Sequence, residues 1–274
     1  MIIKKYYIYI AVCIPLWVHG IKKNEFPPKD IVVVIPSYNN QDWCVRNLRS
    51  VLNQDYTHYR VIYIDDCSSD GTYQLVQEFI TGHPQGSRVT LLRNETRQRQ
   101  LANHYQAVQM CKDTDIVVHL DGDDWFAHRG VLKKVNAAYQ DPHVWLTYGQ
   151  HKTFPKGKVG FCKSIPKRVI ETNAYRYGPF ITSHLRTFYA KLFKLIKTED
   201  LLHPDGSFFQ AGADIAFMFP MIEMAAGHAK FIPDVLYIYN RANVLQSSHT
   251  VQSNTSQILQ QRTRYEPLST LWER

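Results

Sequence analysis

The chain reads as an α/β fold with a mostly parallel central sheet flanked by helices, and three observations predict it. Short runs of β-branched and apolar residues recur along the N-terminal half, each closed by a polar, turn-forming cluster. Between the runs, apolar residues fall at helical spacing. Each polar cluster follows its run, so it stands at the carboxyl end of a strand, where ligands of parallel sheets bind.

The first run, Ile31 to Ile35, ends at Pro36-Ser37-Tyr38-Asn39-Asn40. Cys44, Leu48, Val51 and Leu52 then fall at i, i+4, i+7 and i+8, one buried helix face. Val61 to Ile64 form the second run, ending at Asp65-Asp66-Cys67-Ser68-Ser69-Asp70-Gly71-Thr72. Tyr73, Val76 and Ile80 mark the next helix, Val89 to Leu92 a third strand, and Leu101, Tyr105 and Val108 a third helix. The fourth run, Ile116-Val117-Val118-His119-Leu120, leads directly into Asp121-Gly122-Asp123-Asp124. This β-α-β-α-β-α-β alternation calls for a parallel sheet covered by helices.

Three carboxylates within the four residues 121–124 repel one another unless a cation or ligand hydroxyls meet them. Hard divalent cations such as Mg²⁺ or Mn²⁺ prefer such oxygen ligands. The alternative is an acidic turn capping the next helix.

Val33-Val34-Ile35-Pro36-Ser37-Tyr38-Asn39, Ile64-Asp65-Asp66-Cys67-Ser68-Ser69-Asp70-Gly71-Thr72 and Leu120-Asp121-Gly122-Asp123-Asp124 together resemble the three ordered signatures of family 2 glycosyltransferases with the GT-A fold. The resemblance covers residues 30–150 well and the following hundred or so more loosely. It implies an inverting enzyme that moves a sugar from a nucleotide diphosphate donor to an acceptor hydroxyl, with Mn²⁺ or Mg²⁺ as cofactor. It further implies that Asp66, with Asp65 as rival, accepts the uracil N3–H of a UDP-sugar, and that Pro36 and Tyr38 lie beside the base. Asp121 would face the ribose or metal and Asp123 would bind the metal, with Asp124 doing either job or capping a helix. Arg97 or Arg99, in the segment from Asn94 to Asn103, would pair with the diphosphate. Relatives often carry glycine in that loop, where this chain has Gln100.

An inverting transfer needs a base beside the acceptor hydroxyl. Gly212-Ala213-Asp214-Ile215-Ala216-Phe217 resembles the late acidic motif of the family, which makes Asp214 the base; Ala213 stands where relatives commonly have a second acid. The other reading of Asp214 is a helix N-cap, since Ile215, Phe219, Ile222 and Ala226 form an apolar helical face after it. Pro220 would kink that helix or change its register. His184 and Arg186, after Gly178-Pro179-Phe180, are acceptor-side candidates for holding the acceptor or a phosphate. Leu236 to Asn243 resembles the closing strand, after which many relatives place a His near the metal; here Ala242 and Asn243 occupy that place.

These readings divide the chain into a donor half over 30–150, an acceptor half with the base over 151–245 and a polar tail over 246–274 that is loose or an appended helix. The net charge of +8 favours phosphate-bearing donors, glycan, protein or lipid acceptors bearing negative charge, or an acidic membrane surface. No nucleic-acid recognition module accompanies that charge, so nucleic acid is not an expected partner. The acid-free stretch from Lys152 to Arg168 reads as a loop, either a solvated face or a cover over the donor diphosphate. Five cysteines, at 13, 44, 67, 111 and 162, show neither zinc spacing nor a disulfide framework.

Lys4-Lys5 precede an apolar stretch from Tyr6 to Val18, so residues 1–20 read as a signal peptide or a short membrane anchor. The expected location is the secretory pathway or a membrane surface, with the cytoplasm, where nucleotide sugars are made, as the alternative. Two other functions share the motifs. A nucleotidyltransferase would attack the α-phosphorus on a similar sheet, and a non-catalytic sugar-nucleotide or glycan-binding module would use Asp214 only as a cap.

Overall fold

The β-branched run at the head of the first motif forms β1 (Ile31–Ser37), buried at every position. The computed structural model describes residues 27–243 and 249–272. Around β1 lie β2 (Tyr59–Asp65), β3 (Val89–Arg93) and β4 (Ile116–His119), paired in parallel in the order β3-β2-β1-β4. The connecting helices are α1 (Cys44–Leu52), α2 (Thr72–Gly82) and α3 (Arg99–Gln109). The four apolar residues spaced for one face of α1 are all buried. With them is Asn47, whose amide donates to the Asp121 and Asp124 carbonyls at 2.8 Å each and so ties α1 to the acidic turn.

Beyond β4 the sheet becomes mixed. After β5 (Trp125–Phe126) and α4 (Val131–Ala138) come β6 (Leu146–Phe154), α5 (Lys167–Glu171), β7 (Arg186–Tyr189) and α6 (Ala190–Lys194). Helix α7 (Ala213–Ala225), β8 (Ala229–Asn240) and α8 (His249–Gln261) follow. β7 pairs antiparallel with both β4 and β6, and β8 runs parallel to β6 and antiparallel to β5. One eight-stranded sheet results, ordered β3-β2-β1-β4-β7-β6-β8-β5. The boundary drawn at residue 150 falls inside β6, whose strand neighbours come from the second half of the chain.

Several local expectations change. The lysine-rich stretch is not one loop: β6 takes Lys152 and α5 takes Lys167 and Arg168, because β6 buries Tyr148 and His151 beside β8. α7 runs through Pro220 and is buried almost all round, not on one face. Among the described residues Cys44, Cys67, Cys111 and Cys162 are free thiols. The tail contains α8, which docks on the core. Arg176 forms a bidentate pair with Glu223 of α7 at 2.5 and 2.7 Å and donates to the Leu259 carbonyl of α8 at 2.6 Å.

The expected location at a membrane or in the secretory pathway through an N-terminal apolar segment is corrected: among the described residues no helix is long and apolar enough to cross a membrane. The segment 1–20 on which that expectation fell lies outside the described residues.

Candidate active site

The carboxyl ends of β1, β2 and β4 meet because the strands are in register: Ser37 stands opposite Asp65, and the Gly122 N–H donates to the Pro36 carbonyl at 3.2 Å. The approach is so close that a Cβ on Gly122 would lie 2.5 Å from Ser37 Oγ and 2.9 Å from its Cα. Only glycine fits there. Along this seam runs a cleft of about 560 Å³ lined by Pro36, Tyr38, Asp66, Arg97, Arg99, Asp121 and Asp123, together with Gln100, Gln210 and Asn243. All of the residues expected on the donor and metal side therefore share one cleft.

Asp66 is buried, and its carboxylate organises the loop that carries the arginines. Oδ1 accepts from the Asn94 amide at 2.8 Å and from the Gln98 N–H at 2.7 Å, and Oδ2 accepts from the Arg99 N–H at 2.8 Å. Arg99 itself is left-handed, with φ of 74°, at the start of α3. The Arg97 guanidinium lies 3.5 Å from the centroid of the Tyr38 ring, a cation–π contact that covers one aromatic face. Asp65, the rival to Asp66, points elsewhere: it pairs with Arg93 at 3.4 Å and is absent from the cleft lining.

The acidic turn separates into three roles. Asp121 accepts from His119 Nε2 at 2.9 Å, from Gln100 and from the Tyr237 hydroxyl at 3.2 Å. Burial works to raise its pKa, but the charge and hydrogen bond of His119 outweigh that and hold Asp121 below the usual carboxylate range. Asp123 moves the other way, pushed up to about 6 by burial and by the charge of Asp121, with a hydrogen bond of 2.8 Å from the Asn243 amide opposing the rise. Asp124 is buried, is absent from the cleft lining and does not cap α4, whose N-cap is Gly130. It accepts from the Tyr237 hydroxyl at 2.5 Å and the Asn240 N–H at 2.6 Å, fastening the turn to β8.

Two crowded carboxylates, one raised by the charge of the other, hold an excess of negative charge that a divalent cation would relieve, so Asp121 and Asp123 fit such an ion. No group of three or more His, Cys, Asp or Glu side chains is arranged for a metal among the described residues. Mg²⁺-type sites typically take one or two carboxylates, leaving the other positions to substrate phosphates and water.

Asp214, His184 and Arg186 line a second cleft of about 710 Å³, with His151, Tyr239 and Phe161. Asp214 sits in the first turn of α7, whose N-cap is the left-handed Gly212, and no side-chain cap bond closes the helix. The N-cap reading of Asp214 therefore does not describe its position. Its Oδ2 instead accepts from Arg186 Nη2 at 2.8 Å; Arg186 is buried and Asp214 one-third exposed. His184 stacks on the Tyr237 ring, with centroids 4.2 Å apart and planes at 17°. Burial and the Arg186 charge keep it neutral by pushing its pKa well below the usual value. The buried Tyr237 thus touches a residue of each cleft: its hydroxyl reaches Asp121 and its ring faces His184.

Sequence reasoning missed Asn47, Gln100, Tyr237 and Asn243 as site residues. Position 243 carried the best signal, since relatives put a histidine thereabouts; here its amide reaches Asp123. Gln100 stands where relatives often carry glycine, and its amide donates to Asp121.

The sequence matches the family described as Glycosyl transferase family 2 over residues 32–194. It is 29% identical over 99 residues to the putative colanic acid biosynthesis glycosyl transferase WcaA of Escherichia coli, covering 36% of this chain and 34% of that protein. It is 33% identical over 169 residues to the E. coli chondroitin synthase, covering 60% of this chain and 23% of that one. The chain thus spans well under half the length of these two relatives. Among solved structures, S. aureus TarS superposes with a TM-score of 0.60 at 20% identity, covering 77% of this chain and 60% of that chain. The mannosyltransferase PcManGT of Pyrobaculum calidifontis, solved with GDP-Man and Mn²⁺, gives 0.53 at 22% identity, covering 79% and 60%. These likenesses show the GT-A fold.

Proposed function

Because this chain belongs to glycosyl transferase family 2 and is a glycosyltransferase, we propose that it moves a sugar from a UDP-sugar to an acceptor hydroxyl with inversion and with the help of Mn²⁺ or Mg²⁺. The observation that carries this reading is the convergence of Tyr38, Asp66, Arg97, Arg99, Asp121 and Asp123 on one cleft. TarS has been solved with UDP-GlcNAc, which is consistent with a nucleotide-sugar cleft in this fold.

Asp66 accepts the N3–H of the base, beside Tyr38. Arg97 and Arg99, on the loop that Asp66 anchors, pair with the diphosphate. Asp121 and Asp123 would hold the divalent cation, which when bound would supply neutralisation of the charge on the leaving diphosphate. On the acceptor side, Arg186 holds Asp214 through Oδ2, and Asp214 takes the hydroxyl proton at Oδ1 as the acceptor oxygen bonds to the anomeric carbon. The bond from that carbon to the diphosphate breaks, its electron pair leaving with the diphosphate.

Thermal stabilisation by a panel of nucleotide sugars with and without Mn²⁺ tests the donor, since a ligand of the folded state raises apparent stability. Product analysis then tests the reaction. Release of a nucleoside diphosphate with sugar transfer is the expected result, and release of pyrophosphate would identify a nucleotidyltransferase instead.

A further inference from the structure

The cleft around Asp214 carries more positive charge than proton abstraction requires. Its lining includes Lys158, Arg186 and Arg241 but only one carboxylate, Asp214, and Arg186 already engages that one. Among the described residues, neither Lys158 nor Arg241 has a carboxylate within ion-pair distance. Arg186 is 2% exposed, and its Nε has no hydrogen-bond partner, a buried donor left over after Asp214 is satisfied. The two histidines of the lining add nothing to this charge, since burial and Arg186 hold His151 and His184 toward their neutral forms.

The same cleft offers aromatic surface. Phe161 is 61% exposed, and Tyr239 and Phe180 line the same cleft. Arg241 lies 5.9 Å from the centroid of the Tyr239 ring, and flat rings beside cations that lack a carboxylate partner, as Lys158 and Arg241 do, suit sugar rings that carry acidic groups. Lys158 lines this cleft and not the donor cleft, so the lysine-bearing segment is not arranged as a cover over the donor diphosphate.

We propose that the acceptor is an anionic glycan, a chain of sugars or polyols bearing carboxylates or phosphodiesters, recognised by Lys158, Arg241 and Arg186 while Phe161 and Tyr239 support its rings. The proposal rests on the reading of the Asp214 cleft as the acceptor side. In a low-dielectric cleft the excess positive charge also concentrates such chains near Asp214.

Calorimetric titration of the full chain with tetragalacturonate, with its fully methyl-esterified form and with a glycerol phosphodiester tetramer tests this. An acidic probe should bind at least about tenfold more tightly than the neutral ester, weakening as salt is raised. Tighter binding of the uronate or of the phosphodiester tells which acid the acceptor bears. Lys158→Ala and Arg241→Ala should each weaken the acidic probe by about three- to tenfold. Equal binding of acid and ester, or acid binding unchanged in both variants, overturns the proposal. UDP binding is read in the same samples: its loss with acid binding intact overturns the donor reading alone, and its presence without acid preference overturns the acceptor proposal alone.

Discussion

The buried guanidinium of Arg186 grips one oxygen of the Asp214 carboxylate at 2.8 Å and leaves the partly exposed side of that carboxylate toward the cleft. A base oriented by a fixed cation can be separated from its partner by mutation. Asp214→Asn should keep UDP and Mn²⁺ affinity nearly intact and reduce transfer by about 10² to 10⁴-fold, the scale of general-base loss. Single-turnover transfer at saturating donor checks it, and near-parental transfer would remove Asp214 from the mechanism.

Asp123→Asn should abolish metal-dependent donor turnover while circular dichroism stays that of the parent, because the amide keeps the shape but not the charge that holds the cation. Unchanged turnover would remove Asp123 from the metal site.

Acidity should act on the same residue in a defined direction. The Asp123 carboxyl is raised from 3.8 to about 6. Its contribution to folding is therefore full below the lower value and lost as pH rises through the upper one. In the metal-free chain, Asp123→Asn should be stabilising at pH 7.5, by about 3 kcal/mol at most, and close to neutral at pH 4. Mn²⁺ affinity of the parent should fall by up to about tenfold per pH unit below 6, as protons compete for the carboxylate. Urea melts and Mn²⁺ titrations across that window decide it; a flat profile contradicts the assignment.

Asp66→Ala should weaken UDP by about 10- to 100-fold and Mn²⁺ by less than about threefold. Beyond losing the base contact, the variant strands the Gln98 and Arg99 N–H groups and frees the loop that carries both arginines. Calorimetry with UDP and with Mn²⁺ separates the two effects, and equal UDP affinity in variant and parent would refute the role.

Arg176→Met should destabilise the fold by about 3 to 5 kcal/mol, since it leaves Glu223 charged, buried and without its bidentate partner. Paired replacement with Glu223→Leu should restore much of the loss. Denaturant midpoints of the single and double variants measure both.

The parallel half of the fold was legible because its strands are continuous apolar runs and its ligand groups sit immediately after them. The mixed half was harder to read. β6 carries Lys152 and Gln150 among its buried residues, so no apolar run announces it, and β5 spans only Trp125 and Phe126. Asp66 and Asp121 could be located from motif order alone. Asn47, Tyr237 and Asn243 could not, because each reaches the acidic turn from 74 or more positions away in the chain, and such contacts exist only once the sheet closes.

The fit of Gly122 against Ser37 has a consequence for how this sequence can drift. Two segments more than eighty positions apart in the chain are bound into one unit of variation, in which position 122 accepts no side chain and position 37 accepts only a small one. The seam itself evolves as a pair or stays as it is.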